Sequence, residues 1–228
     1  KPILRGRDIK RYYYEWAGLW IIGTFPALKL DIESYPALKN YFLDNFDIRQ
    51  LEQTGKKYPE LGFNARKKTG NKWFETQDQI AYYHEFEKEK VVWTPVNSEY
   101  SFALVPKGYY FVNSVFMITG DRIRLFCGIF NSKMLRYYLT FLFSSEREYT
   151  YASKETIERI PIPSIVQQNE SLVKQAESLV DKITSIKKDN PQEDTTTYER
   201  EIDQLVYKLY ELTDEEIEII ESSKLVSK

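Results

Sequence analysis

Lys90-Val-Val-Trp-Thr-Pro-Val96 and Ser101-Phe-Ala-Leu-Val105 are short apolar runs, rich in β-branched and aromatic residues, and they decide the fold. Such runs are typical of buried strands. Tyr109–Thr119 and Arg122–Phe126 have the same character, and turn-forming residues separate all four runs. Runs that follow one another this closely favour antiparallel pairing. The sequence therefore predicts a twisted, mainly antiparallel sheet.

Downstream of the sheet the apolar spacing becomes helical, first over Gly128–Phe143. The two prolines of Ile160-Pro-Ile-Pro163 then predict an extended connector. Two apolar seams with coiled-coil spacing follow. The first contains Leu172, Ala176, Leu179, Ile183 and Ile186, and the second contains Tyr198, Ile202, Leu205, Leu209 and Leu212. We expect an antiparallel helical hairpin and a last helix, Asp214–Glu221, capped by Thr213 and Glu216.

The predicted class is α+β, with a sheet-containing domain over residues 1–163 and a helical hairpin with a C-terminal helix over residues 164–228. Near the N terminus, Leu19–Phe25 has the composition of a buried strand. A helix is predicted to start after an N-cap at Ser34, with Pro36 in its first turn, and to end near Gln53. The basic stretch that follows, up to Lys72, is predicted to be the longest loop.

The net charge of -2 hides a gradient along the chain. Residues 1–72 contain 14 Lys and Arg against 8 Asp and Glu, a net +6, whereas residues 73–165 and 166–228 carry -1 and -7. Binding of a polyanion depends on the local field and not on the net charge. The basic front of the chain is therefore compatible with nucleic-acid binding.

Composition also excludes several classes of protein. No apolar run approaches the roughly 20 residues of a membrane span. One cysteine and one histidine cannot form an internal disulfide or an ordinary His/Cys zinc site. The single cysteine fits a reducing cytoplasm, where we expect the protein to work.

Four parts of the chain resemble the TaqI-like C-terminal specificity domain of enzymes that join methyltransferase and recognition parts in one polypeptide. The opening Lys1-Pro-Ile-Leu-Arg-Gly-Arg-Asp-Ile-Lys-Arg-Tyr12 is similar to the junction between the two parts. Trp73–Trp93, with Trp-Phe-Glu, Tyr-Tyr and Lys-Val-Val-Trp, is similar to the middle of the domain. Phe126–Tyr138 and the Ile160–Pro163 connector are similar to elements shared with type I specificity subunits, and Ile202–Glu221 resembles the usual ending.

The resemblance implies sequence-specific recognition of double-stranded DNA, without catalytic residues or a metal site in this chain. It implies an adenine-specific methyltransferase domain, N-terminal in the same polypeptide, as the second partner. S-adenosylmethionine would be that domain's cofactor, and magnesium would be needed if the parent enzyme is also an endonuclease. The Asn/Asp-Pro-Pro-Tyr/Phe motif of such methyltransferases does not occur in this sequence.

The stretch from Asn64 to Lys72 is the strongest candidate for DNA contact, since it mixes phosphate-seeking Lys with base-reading Arg and Asn. The residues expected to touch phosphates are Lys56, Lys57, Arg66, Lys67, Lys68 and Lys72, and those able to pair with guanine or adenine are Asn64, Arg66 and Asn71. Arg5 and Arg7 flank Gly6 and can also reach phosphate, although an ion pair with Asp8 or with a neighbouring domain is an equal alternative.

Two other functions stay open. The chain could be half of a type I specificity subunit that dimerises through its helices. It could also be a small magnesium-dependent nuclease that uses Glu85, Glu87 and Glu89, but these alternate with Phe86 and Lys88 as a solvated segment would. The aromatic residues Trp73, Phe74, Tyr82 and Tyr83 are expected in the core and not in a base-binding site.

Overall fold

A computed structural model of the chain describes residues 1–97, 100–142, 150–164 and 169–223. The strands are β1 (Ile3–Leu4), β2 (Lys57–Tyr58), β3 (Phe63–Asn64), β4 (Lys90–Trp93), β5 (Val96–Asn97), β6 (Phe102–Val105), β7 (Tyr110–Phe111), β8 (Phe116–Ile118) and β9 (Thr150–Tyr151). The helices are α1 (Pro36–Asn45), α2 (Ile48–Leu51), α3 (Ile123–Asn131), α4 (Lys133–Leu142), α5 (Lys154–Glu158), α6 (Glu170–Asp189), α7 (Thr196–Leu209) and α8 (Asp214–Ser222). The predicted α+β class is confirmed. No described helix is long and apolar enough to cross a membrane.

The chain divides into two compact units. The loop unit consists of Lys1 and Ile21–Glu85, and the core unit consists of Pro2–Trp20 and Phe86–Lys228. Helices from beyond residue 163 belong to the core unit, together with β4 and β6. The functional boundary drawn between residues 163 and 164 stays a prediction, since the compact units divide the chain elsewhere.

The central sheet of the core unit has the strand order β6-β4-β8, and both pairings are antiparallel. All four residues of β4 and of β6 are buried. Because side chains alternate across a strand, Val91 and Trp93 join one hydrophobic cluster while Val92 joins the other. A strand covered on both faces has a nearly continuous apolar sequence, which explains why strands were predicted here. The predicted run Lys90–Val96 is shorter in the structure, since β4 ends at Trp93 and Val96 belongs to β5.

Helices cover one face of this sheet. α3 packs on β4 and β6 and also against α6 and α7. Gly128 permits the close approach, because a Cβ there would lie 3.2 Å from Val180 Cγ2 and 3.5 Å from Ile202 Cγ2. The predicted strand over Arg122–Phe126 is wrong, since these residues enter α3. Helical periodicity over Gly128–Phe143 is confirmed through Leu142; Phe143 lies outside the described residues.

The helical pair α6 and α7 is present as predicted, but its buried face differs from the predicted seam. In α6 the fully buried residues are Val173, Ala176, Val180 and Ile183, whereas Leu172 and Leu179 are only partly buried. The helix packs on α3 as well as on α7, so its buried face is rotated away from a simple two-helix seam. The capping box of α8 is confirmed, because Thr213 Oγ1 accepts the N–H of Glu216 and the Glu216 carboxylate accepts the N–H of Thr213.

The other face of the sheet packs against the N-terminal segment. β1 pairs in parallel with β7, and Leu4 and Ile9 share a cluster with Val92, Val105 and Val115. The backbone of Tyr12 pairs in parallel with β6, since its N–H donates to Phe102 O and its carbonyl accepts from Leu104 N–H. This packing holds the residues around Gly6 in a fixed place.

The predicted buried strand from Leu19 to Phe25 is wrong. Trp20 is 67% exposed and Ile22 is 55% exposed. The backbone here makes isolated hydrogen bonds, among them those from Ile3 N–H to Leu19 O, from Ile21 N–H to Lys1 O and from Thr76 N–H to Thr24 O. Such a short pairing does not form a sheet that could bury one face of the segment.

The loop unit contains α1, α2 and the β2-β3 hairpin. Pro36 opens α1 as predicted, but the N-cap is Tyr35 and not Ser34. The helix ends at Asn45, and Asp47 caps α2 through a hydrogen bond from Arg49 N–H. From Leu51 to Glu85 the chain forms loops, the hairpin and two short 3-10 helices, Pro59–Leu61 and Tyr83–Glu87. The side chains that hold these loops therefore determine their shape.

Candidate nucleic-acid interface

A basic hairpin, defined here as residues 56–68, occupies the first part of the predicted long loop. β2 and β3 pair antiparallel, with Lys57 opposite Asn64, and Ala65 N–H donates to Lys56 O. Gly55 has a φ of +71°, and a Cβ there would lie 3.5 Å from Lys68 Cβ. The glycine therefore lets the two arms close upon each other, which brings two pairs of lysines to one end of the hairpin.

These four lysines are exposed to solvent. Within the part of the chain that the structure describes, none of their ammonium groups pairs with a carboxylate or donates a hydrogen bond. They are Lys56, Lys57, Lys67 and Lys68. An unpaired, hydrated ammonium group can exchange its counterion for a phosphate without breaking an internal contact. All four remain candidates for phosphate contact.

Arg66, by contrast, points into its own unit. Its guanidinium donates to Leu51 O through Nε at 2.8 Å, to Glu75 O at 2.8 Å and to Trp73 O. Burial lowers the pKa of this side chain. Carbonyl oxygens from two separate segments accept the guanidinium N–H groups that would otherwise be available to a guanine. This geometry favours a structural role for Arg66, which holds the two segments together.

Asn71 is likewise engaged within the loop unit. Its Nδ2 donates to Thr76 O and Gln77 O, both at 3.0 Å, and its Oδ1 accepts from Gln79 Nε2 at 3.1 Å. Lys72 donates to Leu30 O at 3.3 Å, and its ammonium group lies 5.5 Å from the centre of the Phe74 ring. Asn64, however, is exposed on β3. Of the three predicted base readers, Asn64 presents its amide to solvent.

Gln53 holds the loops behind the hairpin, a structural role that sequence reasoning missed. The side chain is only 5% exposed, and its Nε2 donates to Glu75 O at 2.8 Å while its Oε1 accepts from Thr69 Oγ1. Glu75 is 6% exposed and accepts the N–H of Lys72 at 2.7 Å. Gln53 and Arg66 thus donate to loop carbonyls, and the Glu75 carboxylate accepts a loop N–H, where a sheet or helix would otherwise pair these backbone groups. A lone Gln in a polar stretch gives no sequence signal of this role.

The two arginines near Gly6 have different surroundings. Arg5 forms a bidentate pair with Asp8, from Nε to Oδ2 at 3.0 Å and from the terminal nitrogen to Oδ1 at 2.7 Å. Although burial of Asp8 opposes its ionisation, the hydrogen bonds from the Arg5 side chain and backbone hold its pKa below the usual value. Arg7 is exposed. Arg5 therefore forms the ion pair with Asp8 that was the alternative to phosphate contact, whereas the Arg7 side chain is exposed to solvent.

Two of the carboxylates that were considered for a nuclease site, Glu87 and Glu89, make contacts with other side chains of the core unit. Glu89 forms an ion pair with Arg124, and Glu87 accepts a hydrogen bond from Tyr110 at 3.4 Å. Within the described ranges, no three His, Cys, Asp or Glu residues are grouped so that they could hold a metal ion. Cys127 is buried among apolar residues, and burial raises its pKa to about 12, so it is not an activated nucleophile.

A protein-family model matches the larger part of the chain. The model of the TaqI-like C-terminal specificity domain matches residues 1–162. No curated protein matches the chain. The matched range contains both the basic hairpin and the Arg5–Asp8 pair, and it ends before α6 begins.

Proposed function

Because the chain belongs to the family of TaqI-like C-terminal specificity domains, the DNA-recognition domains of restriction–modification systems, we propose that it recognises one base sequence in double-stranded DNA for an adenine-specific methyltransferase. The basic hairpin is the observation that supports this function most strongly. It presents four lysines, unpaired among the described residues, at one end of a hairpin whose shape is fixed by internal hydrogen bonds.

In this proposal the lysines and the polar residues have separate tasks. Lys56, Lys57, Lys67 and Lys68 bind phosphates, which positions the domain but carries no sequence information. Asn64 is exposed beside them and offers the paired donor and acceptor that adenine recognises in the major groove. Arg66 acts as a positioning residue, because its hydrogen bonds to the carbonyl oxygens of Leu51 and Glu75 fix the position of the hairpin.

The chemistry would belong to a different domain. We propose that an N-terminal methyltransferase domain of the same polypeptide binds S-adenosylmethionine, and that any magnesium-dependent cleavage is also carried by that polypeptide. Such an enzyme would work in the cytoplasm, where its DNA substrate is. The recognition domain would supply the choice of site and no reacting group.

The test compares two double variants of this chain. Lys67→Ala with Lys68→Ala removes two proposed phosphate contacts, and Lys188→Ala with Lys208→Ala removes two exposed lysines of the core unit as a matched control. We expect the first variant to bind duplex DNA more weakly and the slope of log K against log salt to become shallower by about 2. An unchanged slope in the first variant, or an equal change in the control, would contradict the role of the hairpin.

A further inference from the structure

The core unit has a pocket with a volume of about 510 Å³ beside the turn at Gly6. It lies between the N-terminal segment, the end of β4 and the turn before β8. Its lining consists of Gly6, Arg7, Ile9, Lys10, Thr94, Pro95 and Ser114. Two of these side chains are cationic, two carry a hydroxyl group, and no carboxylate is among them.

This charge balance differs from that of another pocket of the core unit, with a volume of about 530 Å³. There, three cations accompany Glu89, Asp121 and Glu177, and Arg124 is already paired with Glu89. In the Gly6 pocket, the guanidinium of Arg7 has no ion pair within the described residues. Lys10 approaches Glu15 only at 3.8 Å, in a solvated pair of little strength. The Gly6 pocket therefore has positive charge that internal contacts do not neutralise.

The pocket is held by a fixed turn. The Arg5–Asp8 pair locks the residues on either side of Gly6, and Asp8 is only 4% exposed. A Cβ at position 6 would lie 2.9 Å from Thr94 Cγ2, so only glycine lets this turn close against the end of β4. Since the turn is rigid, Arg7 is placed at the pocket without further ordering of the backbone.

We propose that the Gly6 pocket binds a phosphate of the DNA backbone, with Arg7 and Lys10 as cations and the Ser114 hydroxyl as a further donor. The proposal rests on the proposed DNA-binding function and adds a contact on the core unit, separate from the lysines of the loop unit. Arginine binds phosphate through paired N–H groups, and lysine contributes a point charge. A contact with backbone phosphate carries no sequence information, so in this proposal the pocket fixes the position of the duplex.

A change of charge inside the pocket tests this site. Ser114→Asp places a carboxylate at an exposed position of the lining, and Ser185→Asp makes the same change on α6, outside the lining. We expect Ser114→Asp to lower the affinity for duplex DNA about tenfold at moderate salt, because it opposes one phosphate contact. Ser185→Asp should bind like the unaltered chain, and thermal unfolding should confirm that both variants are folded.

Loss of the two cations gives a second readout. Arg7→Ala with Lys10→Ala should reduce the slope of log K against log salt by about 2. If both pocket variants keep full affinity while Lys67→Ala with Lys68→Ala loses it, the pocket proposal is overturned and the DNA-binding function stands. If the unaltered chain binds no duplex DNA, the proposed function itself fails.

Inorganic phosphate distinguishes a DNA phosphate from a free anion. If it shifts the amide resonances of Arg7 and Ser114, but the pocket variants bind DNA normally, the pocket holds a free anion and the proposal is overturned. Competition by inorganic phosphate against DNA, stronger than by chloride at equal ionic strength and lost in Ser114→Asp, supports it.

Discussion

The loop unit and the core unit are stabilised in different ways. In the core unit, apolar residues on both faces of β4 and β6 fill two hydrophobic clusters. In the loop unit, Gln53 and Arg66 hold long loops by donating to backbone carbonyls. Because buried polar side chains fix the backbone of these loops, the exposed side chains can change without loss of the loop conformation. This suits a surface that must differ between proteins with different recognition sites.

The largest expected effect comes from the hydrophobic clusters. Phe102 is 1% exposed and packs on Trp93 and Phe130. Phe102→Ala should destabilise the core unit by about 3–5 kcal/mol. Urea unfolding followed by tryptophan fluorescence measures the loss. A loss below 1 kcal/mol would show that the cluster does not carry the stability we assign to it.

Removal of the arginine brace should have a smaller and local effect. Arg66→Ala leaves the carbonyls of Leu51, Trp73 and Glu75 without their shared donor, and we expect a cost of about 3 kcal/mol. Hydrogen exchange should accelerate over residues 51–76 and stay unchanged in β4 and β6. Lys67→Ala is the matched control, since that side chain has no internal contact to lose within the described chain.

A buried carboxyl group in the core unit, that of Asp203, opposes folding at neutral pH. Asp203 is 3% exposed and accepts the N–H of Lys133 at 2.8 Å. Burial raises its pKa to about 6, although the hydrogen bond from Lys133 and the charges of Arg11 and Lys133 oppose the shift. An aspartate of the unfolded chain titrates near 4. The folded state therefore holds this proton more tightly, and the resulting stability is fully present below about pH 4 and is lost as the pH rises through about 6.

Asp203→Asn should remove this dependence while keeping an acceptor for Lys133. The difference in unfolding free energy between the variant and the unaltered chain should change by on the order of 2 kcal/mol between pH 4 and pH 7, in favour of the variant at the higher pH. Asp121→Asn, at an exposed position, is the control. A constant difference across this range would mean that Asp203 is ionised throughout.

Local patterns predicted a good part of this structure. The apolar runs of β4 and β6 and the Thr213–Glu216 capping box depend on residues close in sequence, and each was predicted from them. Leu19–Phe25 has the composition of a strand, yet burial requires a partner sheet, which no local pattern specifies. The buried face of α6 similarly depends on α3, which lies more than 30 residues away in sequence.

The location of the candidate site stays a prediction, whereas the structure bears on the roles assigned to its individual residues. Lys56, Lys57, Lys67 and Lys68 are exposed, as phosphate contacts require. Arg66 and Asn71 carry the same donors whether they bind a base or a carbonyl, so the sequence could not separate these roles. The choice is made by Leu51, Glu75 and Thr76, whose carbonyls lie within hydrogen-bond distance.

Selection from a pool of random DNA duplexes tests sequence-specific recognition most directly. The chain should enrich one short base sequence, and Asn64→Ala should relax the preference at one position of it while the Lys67→Ala, Lys68→Ala variant loses affinity for all sequences alike. If the chain binds duplexes from the pool but enriches no base sequence, sequence-specific recognition is contradicted, because the domain then binds DNA without reading bases.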